Sequence, residues 1–289
     1  MNILLLGATG SIGGAILPEL LGAGHAVTGL ARSEQAAQAI LAAGGSILPG
    51  DLRAPEGWAL AVWDFDAVIH AAATFTEDMG AVDARVLDAL MAACAGRDTP
   101  LRLIYTGGCW LYGATGDAVA DETTPFDPIP AFAWMVENAA RALAFEGFAT
   151  SVIHPAMVYW RDGGVISRFL EQARQGGPVE VWGSAETRWP MVHRADLARA
   201  YRLVLESGVA GEHYNVAVED GVPVGALVDA IARRFGVSSA PVIRSVSSVV
   251  AEHGAWAVGP TLDQRMGATK IRTALGWVPA HADACAILA

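Results

Sequence analysis

Short apolar runs alternate with helix-period stretches through the first half of the chain. The runs NILLLG, AVTGLA, SILPGD, AVIHAA, RLIYTG and TSVIHP are apolar on both faces, as strands are when helices cover both sides of a parallel sheet. Between them, SIGGAILPELLGAG, SEQAAQAILAAGG, a short segment around PEGWALAVW, MGAVDARVLDALMAACAGR and PAFAWMVENAARAL carry helical spacing. The alternation predicts an α/β fold of the Rossmann type, a doubly wound parallel sheet. After residue 157 the rhythm changes. A break at RDGG precedes a helix (VISRFLEQARQGG), a strand (VEVWG), a loop (SAETRWPMVHRA) and a helix from Asp196 to about Ser207. Asp196 reads as the N-cap of that helix. A strand (HYNVA), a helix (VGALVDAIARRFG) and a tail ending KIRTALGWVP follow. This predicts a smaller C-terminal lobe interleaved with the last core elements.

Composition narrows the functional classes. Hydrophobic residues make up 53% of 289 positions, ample for a large core, yet no long apolar run is free of Gly, Pro or charge, so no membrane association is expected. The start, MNILLLGATG, lacks a basic segment and breaks into glycines, which reads as a first strand of a cytoplasmic protein. Cys94, Cys109 and Cys285 are odd in number and scattered, and the seven histidines stand singly without a ligand motif, so neither disulfides nor a metal is expected. A net charge of −11 with no basic cluster argues against nucleic acid as partner.

Candidate chemistry begins directly after the first strand. LLLGATGSIGGAI places Gly7, Gly10 and Gly13 between a strand and a helix, where glycines let backbone approach a pyrophosphate and the helix N-terminus supplies N–H donors. At the end of the second strand a carboxylate would bind a ribose 2′-hydroxyl, but the chain offers Arg32 and Ser33. A guanidinium favours phosphate, so NADP is expected over NAD, with Glu34 able to reverse the preference.

GATGSIG, GDLR at 50 to 53, VIHAAA at 68 to 73, IYTGGCWLYG at 104 to 113, DETTPFDP at 121 to 128, HPAMVYW at 154 to 160, VHRADLARAY at 192 to 201, EHYNVA at 212 to 217 and LGWVP at 275 to 279 come in a familiar order. In that order they resemble the extended short-chain dehydrogenase/reductase superfamily, in an atypical, epimerase/dehydratase-like branch. The resemblance spans essentially the whole chain. It implies a dinucleotide-binding domain over 1–160 that also recruits about 187–217, and a substrate lobe over 161–186 and 218–289. It further implies that Gly7, Thr9, Gly10, Ser11, Ile12 and Gly13 hold the pyrophosphate. Asp51 and Leu52 would flank the adenine, and Ala71, Ala72 and Ala73 the ribose-phosphate path. Thr106, His154, Pro155 and Ala156 would lie near the nicotinamide. A homodimer is the family habit.

The superfamily normally moves the substrate proton with a Tyr, a Lys four residues later and a Ser or Thr after the fifth strand. In the matching register this chain has Ala133, Glu137 and Gly108. An anion at 137 would raise a neighbouring phenol's pKa, so Glu137 cannot replace the ammonium as a Tyr activator, though it can hold a ribose hydroxyl or act as a base. The alternative is a Glu137–Arg141 surface pair worth about 0.3 kcal/mol. Tyr112 is the nearest phenol to the vacant Ser position. Cys109, Trp110, Trp134, Tyr159 and Arg188 are candidates for the substrate pocket, with Trp182, Trp189 and Trp256 either lining it or packing the core. Two readings stand: an NAD(P)-binding oxidoreductase or epimerase/dehydratase-like enzyme acting on a small substrate with non-standard acid/base groups, or a non-catalytic dinucleotide-binding sensor or scaffold.

Overall fold

The computed structural model describes residues 1–289. The first half runs β1 (Asn2–Leu6), α1 (Gly13–Gly22), β2 (Ala26–Ala31), α2 (Glu34–Ala42), β3 (Ser46–Pro49), β4 (Ala67–His70), α3 (Met79–Cys94), β5 (Leu101–Thr106), α4 (Ala133–Ala144) and β6 (Phe148–Pro155). Next come β7 (Met157–Trp160), β8 (Gly163–Gly164), α5 (Ser167–Arg174), β9 (Glu180–Trp182), β10 (Arg188–His193), α6 (Arg194–Ser207) and β11 (His213–Val216). The chain ends with β12 (Glu219–Pro223), α7 (Val224–Phe235), β13 (Val242–Arg244), α8 (Val246–His253), α9 (Thr269–Leu275) and α10 (Ala284–Leu288).

Seven strands form one sheet in the order β11-β6-β5-β4-β1-β2-β3, and the pairs from β6 through β3 are parallel. The six apolar runs are its first six strands. Ile3, Leu4, Leu5 and Leu6 of β1 have no exposed surface, because helices cover both faces. The strand order reverses beside β1, with β2 on one side and β4 on the other, so the glycine-rich turn leaves β1 at the switch point where such sheets bind ligands.

Two compact units divide the chain. The first holds 1–107, 134–153 and 197–214; the second holds 108–133, 154–196 and 215–289. In the first unit, β1, β4 and β5 supply Leu4, Leu6, Val68 and Leu103 to a core closed by Val86, Leu87 and Leu90 of α3 and Ala139 and Ala142 of α4. The second unit contains the four-stranded sheet β12-β10-β7-β8 and the pair β13-β9.

Three local expectations change. SAETRWPMVHRA, expected as a loop, contains β10. Pro190 hides it: proline has no N–H for a ladder, and the pairing of β10 with β12 shifts register between Trp189 and Met191, where a proline is tolerated. The segment around PEGWALAVW forms two 3-10 turns, Pro55–Gly57 and Ala59–Asp64. Helix α6 starts at Arg194, so Asp196 lies inside its first turn instead of preceding it as a cap.

Candidate active site

The turn after β1 is closed by backbone packing. Gly7 has φ +86°, and a Cβ there would lie 2.5 Å from the carbonyl oxygen of Ala71. A Cβ on Gly13 would lie 2.0 Å from the carbonyl oxygen of Gly7, while the Gly10 N–H donates to that same oxygen at 2.9 Å. Thr9, Gly10 and Ser11 are exposed on the rim, with Ile12 half-buried. No side chain caps α1 and no acid occupies its first turn, so the positive end of the helix keeps its field for an anion.

At the ends of β2 and β3, Arg32 is exposed with no ion-pair partner. The Ser33 hydroxyl caps α2 by accepting the Ala36 N–H at 3.2 Å. Glu34 accepts from the Gln38 side chain at 2.7 Å, which holds its carboxylate on α2. Asp51 accepts the Arg53 N–H at 2.8 Å through one carboxylate oxygen. Ala71 and Ala72 are half-buried and Ala73 exposed. Leu52, Ala72, Ala73 and Trp134 line one narrow recess in the first unit, together with His70 and Asp83. Trp134 packs over Gly80 of α3, where a Cβ would lie 2.7 Å from the indole. Thr106 shares a 2.7 Å hydrogen bond with the Tyr201 hydroxyl, which burial holds well above its ordinary pKa.

Sequence reasoning missed the polar centre of this unit. Asp83 of α3, buried, accepts from the Tyr105 hydroxyl at 2.7 Å and the Asn138 amide at 2.8 Å, and its other oxygen lies 3.0 Å from His70 Nε2. Asp83 and Asn138 sit in helical segments where polar residues usually face water, and only the apolar residues flanking both hint at burial.

On α4, Glu137 is exposed, and the Glu137–Arg141 pair is not formed. Arg141 turns to Asp88 of α3, with a further 3.4 Å bond donated to Asn138 Oδ1. Glu137 is left without an ion-pair or hydrogen-bond partner.

In the second unit, a Cβ on Gly108 would meet nothing within 4 Å, so the position of the usual Ser or Thr is open space. The Cys109 thiol is buried and pushed up to about 12 by desolvation. Trp110 lies against Phe132 (centroids 5.2 Å), and its indole N–H is buried without an acceptor. Tyr112 is buried, donates to Asn215 Oδ1 at 2.8 Å, packs on Phe126 and His154, and has its pKa raised by burial. His154 is fully buried at the end of β6 beside Pro155, and the Ala156 N–H donates to Val216 O at 3.0 Å. Tyr159 is fully buried on β7.

Arg188 is occupied: its guanidinium donates to both oxygens of Asp263 at 2.9 and 2.6 Å and to Asp117 at 2.9 Å, leaving little for a substrate phosphate. Trp182 and Trp189 are core residues, Trp189 stacking on Phe169, whereas Trp256 is exposed.

Residues 3–217 match the NAD dependent epimerase/dehydratase family. An uncharacterised protein of Schizosaccharomyces pombe is 31% identical over 97% of this chain and 96% of its own. A 4-hydroxy-2-methyl-3-oxo-4-farnesyl-3,4-dihydroquinoline-1-oxide ketoreductase of Stigmatella aurantiaca is 26% identical over 78% of this chain and 70% of its own. Human epimerase family protein SDR39U1, solved with NADPH, superposes with a TM-score of 0.81 at 21% identity, covering 100% of this chain and 98% of that one. With the glycine turn at the switch point of a parallel sheet and a match over three-quarters of its length, this chain belongs to the NAD dependent epimerase/dehydratase family.

Proposed function

We propose that the protein is a nicotinamide-dinucleotide oxidoreductase that prefers NADP(H) to NAD(H), acts on a small carbonyl or alcohol substrate, and uses Glu137 as its acid/base group. The observation that carries this reading is the cradle after β1, where Gly7 and Gly13 leave no room for a Cβ and α1 presents an uncapped N-terminus. When bound, the dinucleotide supplies or accepts hydride. Gly10, Ser11, Ile12 and Gly13 hold its pyrophosphate, Asp51 and Leu52 its adenine, and Arg32 the 2′-phosphate. Ala71 to Ala73 and Thr106 line the rest of its path in the first unit.

Glu137 fits the acid/base role because Arg141 is engaged elsewhere and the carboxylate is free to exchange a proton with a substrate oxygen. Tyr112, with its hydroxyl given to Asn215 and its pKa raised, serves the packing of its own unit. The likeness to a named ketoreductase supports carbonyl chemistry.

Titration with the four dinucleotides tests the cofactor, and a carbonyl and alcohol panel tests turnover. Replacing Arg32 with alanine is expected to weaken NADPH about 10-fold and leave NADH unchanged. Equal loss for both would remove Arg32 from the phosphate. Glu137→Gln is expected to lower kcat roughly 100-fold with cofactor affinity intact. An unchanged kcat would take the acid/base role away from Glu137. Tight dinucleotide binding without turnover of any substrate would instead favour a sensor.

A further inference from the structure

Two side chains close in sequence meet a third, far from them in the chain, in the second unit. His193 ends β10, Asp196 lies in the first turn of α6, and His281 stands in the tail, 85 residues beyond Asp196. Their ligating atoms all lie within 4.8 Å of one another. The two imidazoles stack with centroids 3.8 Å apart and planes 23° from parallel. Asp196 has no exposed surface, and its carboxylate accepts the N–H groups of Ala280 and His281 at 2.8 and 2.9 Å. Its Oδ2 also lies 3.0 Å from His281 Nδ1.

A second observation points to the same place. Tyr159 is the cross-strand neighbour of His193 in the β7–β10 pair, and its ring meets that imidazole edge-on at 5.5 Å. The Tyr159 hydroxyl is buried and makes no hydrogen bond. A phenol stripped of water and left without a partner is costly to bury, so its retention beside the His193 imidazole asks for a ligand that brings an acceptor or a water.

We propose that His193, Asp196 and His281 bind one divalent transition cation of the zinc class. Two imidazoles and one carboxylate suit Zn²⁺, Co²⁺ or Ni²⁺, whereas Mg²⁺ and Ca²⁺ prefer oxygen ligands alone. The separation of His281 Nδ1 and Asp196 Oδ2 is close to that of two adjacent ligands on one small cation. Binding through Nδ1 uses the neutral tautomer of His281 that carries its proton on Nε2, so the Nδ1 lone pair goes to the cation and the ring stays neutral.

Stacked rings cannot both aim a lone pair at one ion, so His193 turns about its side-chain bonds to complete the set. His193 is half-buried and the His281 side chain 35% exposed, which leaves a path for entry. Three protein ligands leave a position for water, the partner that the Tyr159 hydroxyl lacks.

The test uses the full chain, freed of metal by chelation and dialysis, and titrated with Co²⁺ by visible d–d absorption and with Zn²⁺ in competition with a chromophoric chelator. One equivalent is expected to bind, with a Co²⁺ spectrum of nitrogen and oxygen ligation. His193→Gln and His281→Gln are each expected to weaken binding at least ~10-fold. The exposed-site control His253→Gln is expected to change nothing, and circular dichroism of each variant confirms that it is folded. Absence of saturable Zn²⁺ and Co²⁺ binding in the folded wild type overturns the proposal. So does binding that survives unweakened in a folded His193→Gln/His281→Gln double variant, or a Mg²⁺ affinity above that of Zn²⁺.

Discussion

Asp83→Ala is expected to lower the unfolding free energy by about 3–5 kcal/mol, because it leaves three buried partners, His70, Tyr105 and Asn138, facing a small apolar void. Chemical denaturation of the purified chain checks it, read as a fall in the midpoint at constant slope. A loss under about 1 kcal/mol would show that the site collapses or fills with water. The carboxylate also imposes a pH signature. Burial alone would raise the Asp83 pKa, but the adjacent His70 and the hydrogen bonds from Tyr105 and Asn138 outweigh it and hold the folded-state value below the ordinary one. A depressed folded pKa contributes stability that is complete above the unfolded value, about 3.9, and is lost as pH falls through the folded one. Wild type is therefore expected to lose more stability on acidification below about pH 4 than Asp83→Ala does. Parallel stability-versus-pH curves for the two proteins would refute the charged state of Asp83.

Gly13→Ala is expected to abolish measurable dinucleotide binding, weakening it at least ~100-fold, and to cost about 1–3 kcal/mol of stability. The added methyl would sit 2.0 Å from the Gly7 carbonyl oxygen, which is backbone and cannot rotate away as a side chain would. Gly22→Ala, at the far end of the same helix, meets nothing within 4 Å and is expected to be neutral or stabilising by up to about 1 kcal/mol. If calorimetry finds Gly13→Ala binding NADPH as tightly as wild type, the cradle after β1 does not hold the pyrophosphate.

What could be read from the residues was what repeats. The inner strands β1, β4, β5 and β6, largely buried on both faces, leave apolar runs, and the glycine turn has a fixed spacing, so the parallel sheet and its switch point were visible in one dimension. Strand β10 was not, since Pro190 and its polar neighbours imitate a loop and only tertiary pairing reveals the strand. The helical i, i+4 rule left a Glu137–Arg141 pair open as one of two readings, but Asp88 on a neighbouring helix competes for the same guanidinium and holds it. Asp83 and His281 were invisible for a related reason. Their significance lies in partners distant in sequence, and no local pattern carries that information.

The sheet order has a consequence during synthesis. Strand β6 covers the flank of β5 once residue 155 has emerged, but β6 itself waits for β11 at 213. At bacterial or eukaryotic translation speeds, the 57 residues between them take on the order of 3–11 s to make. For that interval the nascent chain carries a long, apolar strand with a row of unpaired backbone groups, the kind of edge on which neighbouring chains on a polysome add strands. Holdase chaperones that bind extended apolar segments are expected to occupy the nascent chain in this window and to leave after β11 emerges, which ribosome profiling of chaperone-bound nascent chains would resolve.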